Sequence, residues 1–431
     1  SGIFSMIDSA MTKGSSSMID PAKIDSYPLQ MVKNLQKAGF TTYLVGGCVR
    51  DLLLGRLPKD FDISTSAKPN EIRKILQRGR LIGKRFKLIL VRHGEGQYEI
   101  STFRSGEERY DQSGRRDFNI FGTPESDARR RDFTINALFY DPIEDKIIDY
   151  VHGQEDLLRR TLRSIRNPRE TYLEDPIRIL RALRIAGKLG LHISPADYYE
   201  MVTHRELLAS TSVDRVREEI YKALKEGTMR SFVQELIKSG AIEYVFPFVR
   251  DYSRDEIEDL IQYLDIFDKT RPFKDFDLGI SIMWLSAIRR LLREKSSDIS
   301  NVQNIDEALK IEPFLKTHMR YSNYIAESIV RILFYWVQIR QKWIADGVPE
   351  TQRFRLSKDP YFYSALQIAN IEEKRIGDDT PNLKWIENEL SRCVQPRSVR
   401  TVGEYRRRVG VKKRFGRRGP NQFRKRTWRN G

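Results

Sequence analysis

The chain has 431 residues, of which 40% are apolar and 31% charged, with a formal net charge of +17 and two cysteines. This length exceeds one typical hydrophobic core, so at least two domains are expected. The basic excess favours a polyanionic partner such as RNA, DNA or an anionic membrane surface. Two unpaired cysteines exclude a cysteine zinc site and a disulfide framework. No apolar run reaches the roughly 18 residues of a membrane-spanning helix, so we expect a cytoplasmic protein without a membrane partner.

The first 25 residues are rich in serine and show no hydrophobic periodicity, so they are expected to form a flexible leader. Apolar side chains at helical spacing then predict a helix from Tyr27 to Ala38, which ends at Gly39.

A glycine pair, Gly46 and Gly47, follows the short apolar run Tyr43–Val45 and precedes a helical pattern. Such a turn brings backbone N–H groups and the positive end of a helix close to a bound phosphate. The stretch therefore predicts a phosphate-binding turn.

Two carboxylates follow in the sequence Asp60-Phe61-Asp62-Ile63, which is interpreted as a strand. Successive strand side chains point to opposite faces, so Asp60 and Asp62 are expected to share one face. Paired carboxylates on a rigid strand are suited to hard divalent cations. A phosphate turn beside a metal-binding pair predicts nucleotidyl transfer.

Two strand-like runs, 88–93 and 98–103, surround the turn Gly94-Glu95-Gly96 and predict a hairpin. Glu99 is the only acid in the second run. It is interpreted either as a solvent-exposed strand residue or as a third carboxylate beside Asp60 and Asp62.

Three arginines and Asp132 begin the stretch 129–141, whose apolar residues Ile135, Leu138 and Phe139 predict an amphipathic helix. One interpretation is an ordinary helix start with a solvated basic turn. The other assigns the arginines to phosphate or base contacts and Asp132 to a ribose contact.

A conspicuous helix is predicted to begin near Asp175-Pro176, with an apolar stripe of Ile179, Leu183 and Ala186. The neighbouring face carries four polar residues at intervals of three: Asp175, Arg178, Arg181 and Arg184. They form either an N-cap with a solvated basic stripe, or a surface that presents donors and acceptors to a nucleobase.

The rest of the chain, from about 194 to 392, is helical in pattern, with turns predicted at Gly227, Gly240, Gly279, Gly347 and Gly377. Residues 401–431 contain twelve Lys/Arg and one acid, Glu404, so this tail supplies +11 of the net charge. Aromatic residues interleaved with basic ones favour RNA backbone contacts and base stacking. A disordered solubilising extension is the alternative.

Four of these motifs, taken in order, resemble the class II nucleotidyltransferases, the family of bacterial poly(A) polymerases and CCA-adding tRNA nucleotidyltransferases. The motifs are GGCVRDLLLG with PKDFDIST, YEISTFR, RRDFTINALFYD and EDPIRILRALR, within residues 27–227. The resemblance implies an α+β fold: an N-terminal mixed sheet with helices, similar to polymerase β, followed by an all-helical region.

The resemblance also implies a role for each matching residue. The catalytic carboxylates would be Asp60, Asp62 and Glu99, with Asp60 and Asp62 as metal ligands. The nucleotide would contact Gly46, Gly47, Arg50, Arg131, Asp132, Asp175, Arg178 and Arg181. Glu174 completes the EDxxR element, and Arg215 and Glu219 would brace its helix.

Five segments are expected: a flexible leader (1–25), a catalytic head (26–150), a helical neck that recognises the base (151–228), a helical RNA-binding body (229–400) and a basic disordered RNA-binding tail (401–431). The expected reaction adds AMP from ATP to RNA 3′ ends with two Mg²⁺ ions, in a monomer. A CCA-adding enzyme is the first alternative, and a non-catalytic RNA-binding protein is the second. The segment 81–91 and the pair Phe121-Gly122 resemble the poly(A) polymerase versions of their motifs and favour that enzyme, although the segment departs from the family pattern at Lys84, where Arg is frequent, and at Leu90, where His is expected.

Overall fold

The computed structural model describes most of the chain, and two compact units divide between Asp251 and Tyr252. The described residues are 19–77, 79–83, 87–94, 96–105, 109–110, 116–117, 120–270, 276–294, 309–377 and 380–394. The finer division into head, neck, body and tail stays a prediction.

The expected flexible leader is wrong for its last residues. Pro21–Lys23 form a 3₁₀ turn capped by Asp20, and the side chains of Ile19 and Ile24 are buried. Burial of these two apolar side chains holds this part of the chain against the first unit. Helix α1 follows at Ser26–Lys37, where the spacing of its apolar residues predicted it.

The centre of the first unit is a seven-stranded mixed sheet in the order β3-β4-β5-β2-β1-β8-β9. Its strands are β1 (Thr42–Val45), β2 (Asp62–Thr65), β3 (Arg80–Ile82), β4 (Leu88–His93), β5 (Gly96–Thr102), β8 (Phe139–Asp141) and β9 (Lys146–Ile148). Two-stranded pairs are formed by β6 (Arg109–Tyr110) with β7 (Arg116–Asp117), and by β10 (Thr161–Leu162) with β11 (His192–Ile193).

Most neighbours in this sheet run antiparallel, and the predicted hairpin of β4 and β5 is confirmed. The pairing of β2 with β5 is parallel. Parallel strands need a crossover connection, which here contains the helix Pro69–Leu76, β3 and β4. The parallel pair brings residues of two separate motifs side by side.

In the part of the first unit that the structure describes, eleven helices cover or follow this sheet. They are α1, α2 (Gly47–Leu53), α3 (Pro69–Leu76), α4 (Pro124–Arg129), α5 (Gly153–Leu158), α6 (Pro168–Glu174), α7 (Ile177–Leu189), α8 (Pro195–Thr203), α9 (Val213–Glu226), α10 (Met229–Ser239) and α11 (Ile242–Val245). Shorter 3₁₀ turns lie at Thr134–Asn136, Arg205–Ser210 and Pro247–Asp251.

The amphipathic helix predicted over 129–141 is wrong. The segment forms a 3₁₀ turn and then enters the sheet as β8, where Phe139 pairs with Val45 on one side and Ile148 on the other. Phe139 is fully buried in a core cluster with Phe103 and Ala137. Strand pairing on both sides and burial of the aromatic ring outweigh the local helical spacing.

The second unit is helical throughout its described residues. It contains α12 (Arg254–Lys269), α13 (Phe276–Ile282), α14 (Leu285–Glu294), α15 (Asn323–Gln338), α16 (Glu350–Leu356), α17 (Pro360–Ile376) and α18 (Pro381–Arg392). Single π-helical turns lie at Phe314–His318 and Ile339–Trp343, next to the short α-helical turns Ile311–Pro313 and Ile344–Asp346. Gly279 was predicted to mark a turn, but it lies buried inside α13.

A buried polar cluster links three helices of this second unit. The indole nitrogen of Trp336 donates to Glu372 Oε2 at 2.6 Å, and the same carboxylate is contacted by Arg289 and Arg340. Because Glu372 is almost fully buried, these donors offset the cost of removing its charge from water.

The α+β fold expected from the resemblance is confirmed: a mixed sheet with helices is followed by a helical region. Among the described residues, no helix is both long enough and apolar enough to span a membrane.

Candidate active site

Two acids from separate motifs lie side by side at the centre of the sheet. Asp62 opens β2 and is the register partner of Glu99 on β5. Adjacent residues of paired strands project to the same face. Two positions further along, Ser64 and Ser101 share a hydrogen bond of 3.0 Å on that same face. The sheet thus holds the Asp62 and Glu99 carboxylates as neighbours.

Asp60 is not part of this strand, so the predicted strand start was wrong by two residues. Asp60 lies in a bend before β2, and its Oδ2 is 4.0 Å from the Nζ of Lys225 on α9. Lys59 Nζ also donates to the Lys225 carbonyl at 3.4 Å. The end of α9 therefore contacts the loop that leads into the carboxylate pair.

The local charge at Asp62 is strongly negative. Surrounding protein and the neighbouring Glu99 raise the pKa of Asp62 to about 7, although Arg131 and Lys222 oppose the shift. The Asp62 residue itself still reaches solvent. Negative charge that nearby cations compensate only in part, and that stays accessible, is an environment suited to binding a cation.

This donor set fits a hard divalent cation. Mg²⁺ is usually held by one or two carboxylates, with water and substrate phosphates completing its ligands. In the described part of the chain, no three Asp, Glu, His or Cys groups converge as a ready-made metal site. Asp62 and Glu99 therefore offer a partial site whose remaining ligands must come from Asp60, the substrate or water.

The glycine pair forms the predicted turn before a helix. Gly46 precedes α2 with φ 81° and ψ −133°, a backbone conformation that side chains disfavour. Its N–H donates to the Leu138 carbonyl at 3.1 Å, which fixes the turn to the chain before β8. A Cβ atom on Gly46 would stand 3.5 Å from Nη1 of Arg131.

Arg50 lies beneath the turn, where its side chain is only 6% exposed. It donates from Nε and Nη2 to Asp51 Oδ1, at 2.9 and 2.6 Å, and from Nη1 to Asn136 Oδ1 at 2.6 Å. At least three of its five N–H groups are therefore used inside the protein. Its predicted contact with a triphosphate stays a prediction.

Arg131 stands between the glycine turn and the carboxylates. Asp127 Oδ2 accepts from its Nε and Nη2 at 3.2 and 2.9 Å. Its Nη2 also lies 3.5 Å from Ser64 Oγ on the strand that carries Asp62. Asp127 is fully buried. Burial alone would raise its pKa, but Arg131 and Arg130 outweigh that effect, so the Asp127 pKa is lowered.

Asp132 uses both carboxylate oxygens within the protein. Its Oδ1 accepts from the Phe133 N–H at 2.8 Å and from Asn136 Nδ2 at 3.3 Å. Its Oδ2 accepts from Arg181 Nη1 at 2.8 Å. Burial raises the pKa of Asp132, and Arg181 with these donors more than compensates, so the pKa is lowered.

Asp175 is not the N-cap that one interpretation required. It ends α6, and no side-chain cap bond is present at the start of α7. Instead, Arg215 on α9 donates a hydrogen bond to each carboxylate oxygen of Asp175, at 2.7 and 2.8 Å. Arg178 donates to Glu174 Oε2 at 3.1 Å and to the Thr171 carbonyl at 3.2 Å. The acid and the arginine predicted to read the base are thus each held by their own partner.

Glu219 links the basic face of α7 to α9, as the family resemblance implied. It is buried and contacts Arg184 at 2.7 Å and Arg181 at 3.6 Å. Although burial acts to raise its pKa, Arg184 and the nearby cations lower it to about 2. The solvated basic stripe considered for α7 is therefore wrong at Arg184, which is buried.

Several residues that build this site were not predicted from the sequence. Asp127 anchors Arg130 and Arg131, and its spacing of three and four residues before them on α4 was a usable signal. Asn136 bridges Arg50 and Asp132. Lys222 and Lys225 approach the acids from α9, and a helical pattern alone does not reveal which strand loop they meet.

The structure does not describe two parts of the chain for which a function was predicted. Lys84 and the basic tail of residues 401–431 lie outside the described residues. The bulk of the segment 81–91 is described: Leu90 lies on β4, where it pairs with Glu99 of β5.

Comparison with known proteins agrees with this geometry. Residues 42–163 match the family of the poly A polymerase head domain, and residues 190–252 match the family described as a probable RNA and SrmB- binding site of polymerase A. Poly(A) polymerase I of Salmonella typhimurium is 41% identical over 239 residues, which cover 53% of this chain and 51% of the relative. A CCA-adding enzyme of Streptococcus suis is 38% identical over 217 residues, or 50% of this chain and 54% of the relative.

These curated relatives are about twice as long as the stretch that they share with this chain. The similarity in three dimensions extends further. The crystal structure of the Bacillus stearothermophilus CCA-adding enzyme with CTP is 25% identical, has a TM-score of 0.59, and aligns over 85% of this chain and 81% of its own. With the sheet and the site described above, these matches place the chain in the class II nucleotidyltransferase superfamily.

Proposed function

We propose that the chain adds AMP from ATP to the 3′ end of RNA without a template, which is the reaction of a poly(A) polymerase. The observation that carries the proposal is the register of Asp62 with Glu99, with Arg131 between this pair and the glycine turn. Acids for cations and N–H donors for phosphates then lie at adjacent positions, as nucleotidyl transfer requires.

Each residue has a role in this proposal. Asp60, Asp62 and Glu99 would hold two Mg²⁺ ions, which when bound promote deprotonation of the RNA 3′ hydroxyl and neutralise the triphosphate charge. The turn at Gly46 and Gly47 would bring the first N–H groups of α2 close to phosphate oxygens. Positioning and charge neutralisation suffice for the reaction, so no side-chain nucleophile is needed.

The arginines and the other acids of the site would contact the rest of the nucleotide. Arg131 would donate to the phosphates, while Asp132 would accept from the ribose and Arg181 would hold it in place. Asp175 and Arg178 would face the base, where one acid and one arginine can together distinguish donor from acceptor edges.

The choice of adenine rests on similarity to poly(A) polymerase I, whereas the match to the CCA-adding enzyme of Streptococcus suis favours the alternative. The test offers the protein and Mg²⁺ two primers, an oligo(A) and a tRNA without its CCA end, with either ATP or CTP. We expect repeated AMP addition to both primers and little use of CTP. Efficient CTP incorporation that stops after two residues, on the tRNA alone, would replace the proposal with CCA addition.

Proton competition at Asp62 predicts that Mg²⁺ binds more weakly in acid. The pKa of Asp62 is raised to about 7. Below that pH a cation must displace the proton of the Asp62 carboxyl group, whereas above it the carboxylate is already free of the proton. We expect the Mg²⁺ concentration for half-maximal extension to rise several-fold from pH 8 to pH 6, and to change little from pH 8 to pH 9. An Mg²⁺ titration at each pH measures this, and a flat profile would contradict it.

The basic tail is proposed to contact the RNA backbone. Removing residues 402–431 deletes twelve Lys/Arg, so we expect RNA affinity to fall and its dependence on salt to become less steep, because fewer counterions are released. Single-nucleotide extension at saturating RNA should persist. Equal affinity and equal salt slope for the two proteins would leave the tail without a role in RNA binding.

A further inference from the structure

Nine side chains of the first unit form a closed circuit of ion pairs and hydrogen bonds, here called the ionic ring. In order around the circuit, its members are Arg50, Asp51, Lys188, Glu226, Arg184, Glu219, Arg181, Asp132 and Asn136. They come from α2, α7, α9 and the turn at Asp132, which are separate in the sequence.

The arc across the two helices runs through alternating charges. Arg181 Nε lies 3.6 Å from Glu219 Oε1, and Arg184 Nε lies 2.7 Å from Glu219 Oε2. Arg184 Nη1 then reaches Glu226 Oε2 at 3.3 Å. This arc fastens α7 to α9 through three contacts.

Lys188 carries the circuit from these helices to α2. Its Nζ lies 3.3 Å from Glu226 Oε1 and 3.7 Å from Asp51 Oδ2. Asp51 Oδ1 in turn accepts from Arg50 Nη2 at 2.6 Å. Lys188 and Glu226 are therefore the link between the far ends of α7 and α9 and the helix that follows the glycine turn.

The circuit closes through the turn that carries Asp132. Arg50 Nη1 donates to Asn136 Oδ1 at 2.6 Å, and Asn136 Nδ2 donates to Asp132 Oδ1 at 3.3 Å. Arg181 Nη1 then donates to Asp132 Oδ2 at 2.8 Å. Each of these residues therefore contacts two other members of the ring.

Four cations and four acids balance exactly in charge within the ring. Charged side chains at its core are nearly removed from water, with exposures of 6% for Arg50, 8% for Arg184 and 3% for Glu219. In such surroundings, loss of one partner leaves a buried charge uncompensated. The ring is thus coupled internally, and its geometry is resistant to small displacements.

The loop after α2 reinforces the same connection. Arg56 Nη1 donates to the carbonyl of Lys188 at 3.4 Å, at the end of α7. Lys59 Nζ donates to the carbonyl of Lys225 at 3.4 Å, near the end of α9. Cations at the carboxyl ends of helices also interact favourably with the helix dipole. One loop therefore holds both helix ends against the phosphate-binding side of the site.

The opposite ends of the two helices carry the base-reading group. Arg178 lies in the first turn of α7, and Arg215 near the start of α9 holds Asp175. Lys188 lies ten positions after Arg178 on α7, which is about 15 Å at 1.5 Å per residue. A helix of this length is stiff, so fixing its far end fixes the direction of its near end.

We propose that Lys188 and Glu226 are positioning residues that hold the base-reading ends of α7 and α9 in one fixed geometry relative to the glycine turn. The proposal rests on the proposed nucleotidyl transfer. Neither residue belongs to the predicted nucleotide contacts, whereas Arg50, Asp132 and Arg181 do. Changes at Lys188 and Glu226 therefore test positioning without removing a substrate contact.

The experiment uses the full chain and three variants, Lys188→Met, Glu226→Gln and the double variant. Extension assays measure KM for ATP, KM for RNA and kcat separately. When the base-reading ends of α7 and α9 are displaced from the glycine turn, the site can no longer bind the base and the phosphates of one ATP equally well. We therefore expect KM for ATP to rise by roughly tenfold, with KM for RNA within twofold. The double variant should resemble each single variant, since both changes open the same ring.

Two controls separate positioning from general damage. Lys188→Arg keeps the cation and should restore most of the ATP affinity. Arg159→Met removes an exposed ion pair with Glu155 on α5, at 2.7 Å, and should leave every parameter unchanged. An unchanged KM for ATP, or equal rises in KM for ATP and RNA, would overturn the proposal.

A second readout does not depend on catalysis. Hydrogen exchange in residues 47–53 should speed up in Lys188→Met and Glu226→Gln, but not in Arg159→Met, because only the first two open the ring to which α2 belongs. If the parent fails to extend RNA, the proposed function is wrong, and exchange still decides whether the ring holds α2. Unchanged exchange in both variants would refute the coupling itself.

Discussion

Asp62→Asn is expected to abolish RNA extension and, at the same time, to raise the unfolding temperature of the metal-free protein at pH 8. The two effects have one cause. The Asp62 charge is needed to bind a cation, but without a cation partial burial and repulsion by Glu99 raise the pKa of Asp62 to about 7. The amide keeps the shape of the side chain and removes the charge.

The sign of the pH dependence follows from linkage. The folded pKa of Asp62 lies above its ordinary value of 3.8, so the unfolded chain loses this proton first, and the parent loses stability as the pH rises toward 7. The gain in Asp62→Asn should therefore be small near pH 4, grow up to pH 7 and stay constant above it. Since Asp62 is partly solvated, we expect a gain on the order of 1 kcal/mol at pH 8.

Thermal unfolding at several pH values measures this difference, and Mg²⁺ supplies the matched comparison. Added Mg²⁺ should raise the unfolding temperature of the parent, because it binds only the folded state, and should have little effect on Asp62→Asn. Glu144→Gln removes one exposed acid in the β8–β9 turn and controls for net charge. Turnover at the parent rate in Asp62→Asn would remove Asp62 from the site, and a pH-independent difference would refute the electrostatic account.

Arg215→Ala is expected to reduce the discrimination between ATP and CTP. Arg215 holds both oxygens of Asp175 at 2.7 and 2.8 Å, so its removal leaves the carboxylate free to rotate. A base-reading acid must present its oxygens in a fixed direction to favour one base edge. We expect kcat/KM for ATP to fall by about 10²-fold, and the ATP/CTP ratio by roughly tenfold or more.

Two further variants locate this effect. Arg215→Lys keeps the charge but lacks the planar fork, so it should recover only part of the discrimination. Asp175→Ala combined with Arg215→Ala should be no worse than Asp175→Ala alone, because the arginine acts through the acid. The Arg215 side chain is 43% exposed, so the unfolding temperature should change little. An unchanged ATP/CTP ratio in Arg215→Ala would show that the ion pair does not orient Asp175 for base choice.

Local pattern predicted much of the secondary structure, because local forces dominate those elements. The helix at Ser26–Lys37, the hairpin of β4 and β5, and the long helix Val213–Glu226 agree with their apolar spacing and their terminal residues. Gly227 and Gly240 end their helices in the left-handed conformation, as glycine at those positions predicts.

Local pattern failed where distant packing outweighs it. The apolar residues of segment 129–141 have helical spacing, yet Phe139 pairs with a strand on each side. The preceding turn is also held from outside: Gly153 approaches so closely that a Cβ there would lie 2.3 Å from the Thr134 carbonyl oxygen. Neither neighbour can be identified from a window of ten residues.

The sequence by itself determined which chemical groups this protein has available: two acids near a glycine turn, a further acid on a strand, and arginines in the first turns of predicted elements. Their type and order suffice for that conclusion, because the chemistry of a carboxylate or a guanidinium is intrinsic. Only the tertiary structure decided their partners. The parallel register placed Asp62 beside Glu99, 37 residues away, and folding joined Asp132 to Arg181 and Lys188 to Asp51. Such pairings depend on strand order and helix packing, which no local pattern encodes.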